Sequence, residues 1–432
     1  MRNRPLPPLQ RALIVLLALL LCACSDDCET TITYTVQEPV YMLRADLREA
    51  VQVTQPRVLE NPGKIYALGH YLFVNEVNEG VHVIDNQDPA SPRLLSFIQI
   101  PGNIDMAVKD NILYADSYID LVALDITNPL DVKEVKRVEN IFPSYGMLVS
   151  DTSAVFVSEF VPKTVTEAIS SDCDTRGRTH QPFLDFTGRG AFTNSGNSGA
   201  DAGGGATNGK GGSMARFTVA GNHLYTVSLS NLQVFDVSSA ADPKTGTSIP
   251  LGWNIETIFP YQNKLFIGSS TGMHIYDSSN PSSPALLSIY EHVRSCDPVV
   301  VEGDLAWVTL RSGNACMGFT NQLEVVDISD PRSPTLLKTY PMLNPHGLGI
   351  DGEALFLCEG THGLKVFNIK DHLAVDQNLL SHFKEQDAFD VIPLGETVLM
   401  VGQDGLYQYD YRDLSNVKLL SVIPVQRKTP AS

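Results

Sequence analysis

Apolar and polar positions alternate along this chain in short bursts, and the bursts return at a regular interval. One kind of burst ends in an acid or its amide. It reads Val81-His-Val-Ile-Asp85, Leu121-Val-Ala-Leu-Asp125, Leu232-Gln-Val-Phe-Asp236, Met273-His-Ile-Tyr-Asp277, Leu323-Glu-Val-Val-Asp327, Leu364-Lys-Val-Phe-Asn368 and Leu406-Tyr-Gln-Tyr-Asp410. Prolines follow the first five, at Pro89 and Pro92, Pro129, Pro243, Pro281 and Pro284, and Pro331 and Pro334. The spacings from one acid or amide to the next are 40, 111, 41, 50, 41 and 42, so the unit is about 41 residues. Ahead of each burst stands a hairpin pattern whose second strand opens Leu-aromatic or similar. Examples are Leu72-Phe73-Val74, Leu113-Tyr114, Leu224-Tyr225, Leu265-Phe266, Leu305-Ala306-Trp307, Leu355-Phe356 and Val398-Leu399-Met400. An eighth hairpin is predicted at Val155-Phe156-Val157, so one hairpin lacks its acid-bearing strand. Period-two alternation between Gly, Asp and Asn turns predicts half-buried antiparallel strands.

Four short strands in about 41 residues make the blade of a β-propeller. A lone blade cannot hide two apolar faces, whereas stacking around an axis buries each blade between two others. The expected fold is therefore all-β, a propeller of seven or eight four-stranded blades with eight preferred, carrying a Gly-rich insertion. The alternating stretch Thr31–Val36 is expected to pair with the last blade near Leu419–Ile423 and so close the ring. The domain boundaries that follow are a leader over 1–23, a tether and N-terminal strand over 24–60, the propeller over 61–425 with a mobile insertion at 161–213, and a tail over 426–432. The bursts Val81–Asp85, Leu121–Asp125 and Leu323–Asp327, with their Pro followers, resemble the LVIVD repeat of exported bacterial proteins. The resemblance implies a propeller fold and carries no enzymatic signature. Asn368 departs from its acid, which implies a looser turn there.

The acids closing the third strands (Asp85, Asp125, Asp236, Asp277, Asp327 and Asp410, with Asn368) are expected to accept backbone N–H groups in the next turn, which proline then stiffens. A second column closes the second strands: Glu76, Ser117, Glu159, Ser228, Ser269, Thr309, Glu359 and Gln403. If these face the axial channel, Asp105, Glu256, Asp297, His346 and Asp390 on the innermost strands are their neighbours. A candidate channel-mouth site is thereby defined by Glu76, Asp105, Glu159, Asp297, His346, Glu359 and Asp390. Its oxygens suit a hard cation such as Ca²⁺ or a polar ligand, against the plainer reading of a hydrated channel mouth.

Arg2, Arg4 and Arg11 precede the apolar run Ala12–Leu21, which is shorter than the ~20 residues of a membrane span, so this segment reads as an export signal. Leu21-Cys22-Ala23-Cys24 resembles a bacterial lipobox, which implies cleavage before Cys24, diacylglycerol on its sulfur and residence at the outer membrane. Of the remaining thiols, Cys296 with Cys316, and Cys28 with Cys173, are the expected disulfides, while Cys358 in an apolar run is expected to stay a buried thiol. Loss of the leader takes the formal charge from −18 to −21, which disfavours nucleic acid as a partner. Within 188–213, ten of twenty-six residues are Gly, too few apolar groups for a core. Gly204-x₄-Gly209-Lys210-Gly211 misses a phosphate loop by its last residue, and Asp172-Cys-Asp174-Thr-Arg176 fails as a calcium loop. HExxH and the dinucleotide fingerprint are missing from the sequence. The expectation is a non-catalytic, monomeric, lipid-anchored envelope protein that binds a protein or glycan. The alternatives are a periplasmic assembly factor, by fold analogy, and a lactonase-like hydrolase with a channel-mouth metal.

Overall fold

The computed structural model describes residues 27–142, 154–172, 210–252, 254–293, 298–312 and 320–427. Tyr41 onward, it builds seven antiparallel blades. Blade 1 holds Pro62–Leu68, Tyr71–Glu76, Gly80–Asp85 and Arg93–Gln99; blade 2 holds Met106–Lys109, Ile112–Ser117, Asp120–Asp125 and Lys133–Val138. Blade 3 is Phe217–Ala220, His223–Val227, Asn231–Asp236 and Lys244–Pro250; blade 4 is Ile255–Tyr261, Lys264–Ser269, Gly272–Asp277 and Ala285–Glu291. Val299–Glu302, Leu305–Leu310, Gln322–Asp327 and Thr335–Pro341 form blade 5, and Leu348–Asp351, Ala354–Cys358, Leu364–Asn368 and Leu379–Phe383 form blade 6. Ala388–Pro393, Thr397–Gly402, Gly405–Asp410 and Lys418–Pro424 complete blade 7.

The blades repeat because their turns repeat. The first residue of each inner hairpin turn has a positive φ. Five are Gly (Gly69, Gly221, Gly303, Gly352, Gly395), and Asp110 and Gln262 accept φ 52 without that freedom. In every blade the third and fourth strands slip register by one step, as between Val83 and Ile84 or between Ile275 and Tyr276, which bends the outer strand. Large side chains such as Trp307, Tyr114, Tyr225, Phe73 and Phe266 are wholly buried. Hydroxyls stitch neighbours together: Ser96 Oγ donates to Pro129 O and Ser288 Oγ to Pro331 O, each at 2.7 Å, and Tyr225 Oη to Pro281 O at 2.8 Å.

Two expectations about the ring are corrected. Seven blades form, not the preferred eight, because the apolar stretch at Val155–Val157 belongs to the long strand Ala154–Asp172, which joins no blade. Nor does Thr31–Val36 pair with Leu419–Ile423; it lies in Asp27–Leu43, which forms a two-stranded ribbon with Ala154–Asp172. In that ribbon Thr33 Oγ1 meets Thr166 Oγ1 at 3.2 Å and Lys163 pairs with Glu38 at 2.8 Å. The ring closes without strand exchange. Leu59 bridges Val425 in parallel, Gln426 N donates to Leu59 O at 2.7 Å, and Ser421 Oγ donates to Pro89 O at 2.6 Å. Asn86 and Gln408 exchange amide hydrogen bonds across the same joint at 2.9 and 2.7 Å, over a core of Ile65, Leu72, Val74, Ile392, Leu399 and Val401.

Among the described residues, blade 1 alone is widened on both sides. Lys210–Gly211 pairs with the inner strand at Ala67 and Tyr66, and Gln52–Thr54 pairs with the outer strand at Gln99, Ile98 and Phe97. Both ends of the predicted insertion are therefore placed in strands, residues 161–172 in the ribbon and 210–211 in blade 1, while 173–209 lie outside the described residues.

Candidate functional site

The second-strand column is built into single blades. Glu76 is fully buried; Glu60 N donates to its Oε2 at 3.1 Å, Asn61 N donates to Oε1, and His82 Nε2 lies 2.8 Å from Oε2. His82 Nδ1 has no hydrogen-bond partner among the described residues. Glu359, also fully buried, accepts Leu343 N at 2.8 Å and forms an ion pair with Lys365. Ser269 Oγ donates to Gly272 O at 2.8 Å and lies 3.4 Å from His274 Nε2. The partner in each case stands on the third strand, directly beside the column. Ser117 donates to Pro101 O at 3.0 Å and Thr309 to His346 O at 2.8 Å. Glu76 and Glu359 thus each hold a neighbouring connection in place.

The axis holds a different set. Residues 210–217 run across the free edges of the inner strands. Lys210 Nζ donates to Pro393 O of blade 7 at 2.6 Å, and Leu348 N of blade 6 donates to Ser213 Oγ at 2.7 Å. Ile258 N of blade 4 donates to Ala215 O at 2.7 Å. From blade 1, Lys64 Nζ donates to Met214 O at 2.8 Å. From blade 2, Asp105 Oδ2 accepts Arg216 N and Phe217 N, the latter at 3.1 Å, while its Oδ1 accepts Met106 N at 2.7 Å. A segment seated on blades 1, 2, 4, 6 and 7 is an axial plug. Ser213, Met214 and Ala215 are buried in it.

The plug is gripped by buried charges of both signs. Burial lowers the Lys64 ammonium to about 8, against the opposing pull of Asp105, Asp390 and Asp116. Burial also pushes Asp105 up, and lifts Asp116 to about 6 although Asn103 Nδ2, Ile104 N and Asp105 N all donate to Asp116 Oδ1. Asp105 and Asp390 of the candidate set both act on Lys64, each opposing the fall that burial imposes on it. His346 has partners of its own: Arg311 Nη1 is 3.2 Å from its Nδ1 and Phe389 packs edge-on at 5.0 Å. Burial first, then the Arg311 cation, hold its imidazole well below the usual value. Glu256 contributes to the field at Arg311. The Glu159 side chain and Asp297 lie outside the described residues, as do Cys24, Cys173, Cys296, Cys316 and the Cys28 side chain. Cys358 is a buried free thiol whose pKa burial raises. Among the described residues no three His, Cys, Asp or Glu side chains gather as a metal site.

At the other end of the third strands, Asp85, Asp125, Asp236, Asp277, Asp327, Asn368 and Asp410 each accept the N–H two residues on, at 2.8–3.0 Å. Lys64, Asp116 and Arg216 escaped the sequence reading. Their one local signal is a charge inside an otherwise apolar burst, as in Gly63-Lys64-Ile65 and Tyr114-Ala115-Asp116.

Fold and axis together define a seven-bladed β-propeller with a filled centre. Three stretches of the chain, residues 63–98, 261–292 and 298–341, match the LVIVD repeat. No curated protein matches the sequence. Among solved structures, the chain is similar to the computationally designed Ika8 protein, at 10% identity and TM-score 0.49 over 85% of this chain and 90% of that one. It is similar to PorZ of Porphyromonas gingivalis at 12% identity and TM-score 0.49, over 88% of this chain and 40% of that one. BamB from Moraxella catarrhalis gives 8% identity and TM-score 0.46 over 87% and 97%.

Proposed function

We propose that this protein is an exported scaffold, anchored by lipid on Cys24 at the outer membrane, that binds a protein or glycan partner without transforming it. The observation that carries the reading is the plug. Polar groups converging on a propeller axis are the natural place for a substrate or ion, and here Lys64, Asp105, Leu348 N and Ile258 N are committed to residues 213–217 of the same chain. Blade faces and rims are left for recognition, on a ring stiffened by hydrogen bonds from one blade to the next.

Two measurements test it. Metabolic palmitate labelling is expected for the wild type and lost in Cys24→Ser; label that survives the substitution overturns the anchor. Affinity capture from cross-linked envelopes is expected to return one reproducible partner, and capture of nothing above the untagged control overturns the scaffold role.

A further inference from the structure

We infer that the outer edge of blade 4, strand Ala285–Glu291, receives an extended, β-branched, basic segment of a partner protein by strand addition. This deepens the scaffold reading and rests on it. The chain itself supplies the template. In blade 1 the outer strand Arg93-Leu-Leu-Ser-Phe-Ile-Gln99 is covered by Gln52-Val-Thr54, with Val53 opposite Ile98. Arg57, three residues further on, lies 3.7 Å over the Phe97 ring. Blade 4 repeats the covered strand as Ala285-Leu-Leu-Ser-Ile-Tyr-Glu291, with the same register slip and the same Ser-to-Pro bond to the next blade. Nothing among the described residues pairs with it. Phe97 is 2% exposed under its cover, whereas its counterpart Ile289 is 44% exposed and Leu286 49%.

The other outer edges are closed to such pairing. Gln99, Pro250, Glu291, Pro341 and Pro424 occupy one register position, each opposite the first residue of its third strand. The next residue in each case (Ile100, Leu251, His292, Met342, Val425) donates its N–H inward, so the N at this position points outward. Proline there removes the donor an incoming strand needs, which shuts blades 3, 5 and 7. Beside the end of the blade 2 outer strand sits the helix Arg44–Glu49, whose Arg48 pairs with Glu139 at 2.8 Å and whose Arg44 donates to Asn140 at 2.9 Å. Blade 6 carries Lys384 at the equivalent place, beside Gly363, and a cation there repels a basic segment. Blade 4 keeps a full-length edge, an outward N–H and apolar side chains. Main-chain pairing gives such an edge its affinity, and side-chain pockets its choice of sequence. The basic character follows from the carboxylate of Glu291 at the docking position and a chain of formal charge −18.

The test uses the full chain and a fluorescent peptide of sequence Val51–Arg57 flanked by lysines. Saturable binding is expected by anisotropy, at least tenfold weaker for Glu291→Pro and for the same peptide flanked by glutamates. Glu291→Pro is a conservative probe, because three sibling blades already fold with proline at that position; its melting temperature is expected to match the wild type. Equal binding to the variant, or no saturable binding, overturns the proposal. So does concentration-dependent dimerisation that Glu291→Pro abolishes, which would make a second copy the occupant. If Glu291→Pro still captures the envelope partner, the edge proposal falls while the scaffold reading stands.

Discussion

At each third-strand end a side-chain oxygen takes the N–H two residues on, so one short bond recurs seven times around the ring. Asp327→Ala removes that bond to Ser329 N at 2.8 Å and should move the urea midpoint to slightly lower concentration. Asn368→Asp should lower stability rather than restore the repeat, because the Asn368 amide also donates to Glu353, which a second carboxylate would repel. Deeper charges behave otherwise. Lys365→Met leaves the buried Glu359 carboxylate without its cation, an uncompensated charge expected to cost ~3–5 kcal/mol. Asp116 sets a pH dependence of definite sign. Its folded pKa is raised to about 6, so the folded chain keeps a proton the unfolded chain has released. Its contribution to stability is full below about pH 4 and is lost as pH rises through 6. Asp116→Asn should therefore flatten the fall in melting temperature between those values; an unchanged slope would show that other carboxyls set it. The turn acids were legible in the sequence because their work is local, done within two residues. Lys64, Asp116 and Arg216 were not, because their partners Met214, Ile104 and Asp105 lie on other elements or other blades.

Strands and hairpins follow the alternation closely, and here the sequence was most readable, since Leu72-Phe73, Leu113-Tyr114, Leu224-Tyr225, Leu265-Phe266 and Leu355-Phe356 each lie in a second strand. The one misleading hairpin lay at Val155. Its alternation was genuine, but alternation does not say which strand is the partner, and Asp27–Leu43 took that place. Likewise Glu76 ends its second strand and Glu359 follows its own by one residue, yet the third-strand residues beside them, His82 and Lys365, decide their role. The hairpin turns give a prediction at this scale. Gln262 holds φ 52 where five blades use Gly, so Gln262→Gly should relieve left-handed strain and raise stability by about 0.5–1 kcal/mol in thermal melts. The same change at an ordinary strand position would lower it.

For the ring as a whole, the expected response to chelation follows from how its carboxylates are used. Glu76, Asp105 and Glu359 already accept N–H groups of the chain, so EDTA should leave the melting temperature unchanged; a fall would revive a channel ion. Architecture and period were visible in the repeat, whereas the filled axis was invisible because it joins residues 210–217 to residues 64, 105, 258, 348 and 393 by way of the fold alone. That long reach constrains the order in which a nascent polypeptide can mature. Residues 210–217 leave the ribosome after blades 1 and 2 but before the parts of blades 4, 6 and 7 that will hold them. The joint at Leu59 and Val425 unites the earliest blade with the latest, so it is the final seam. An interior strap that must be seated before its container shuts makes the carboxyl-terminal blade the keystone, and a chain cut short before Lys418 should never lock its centre.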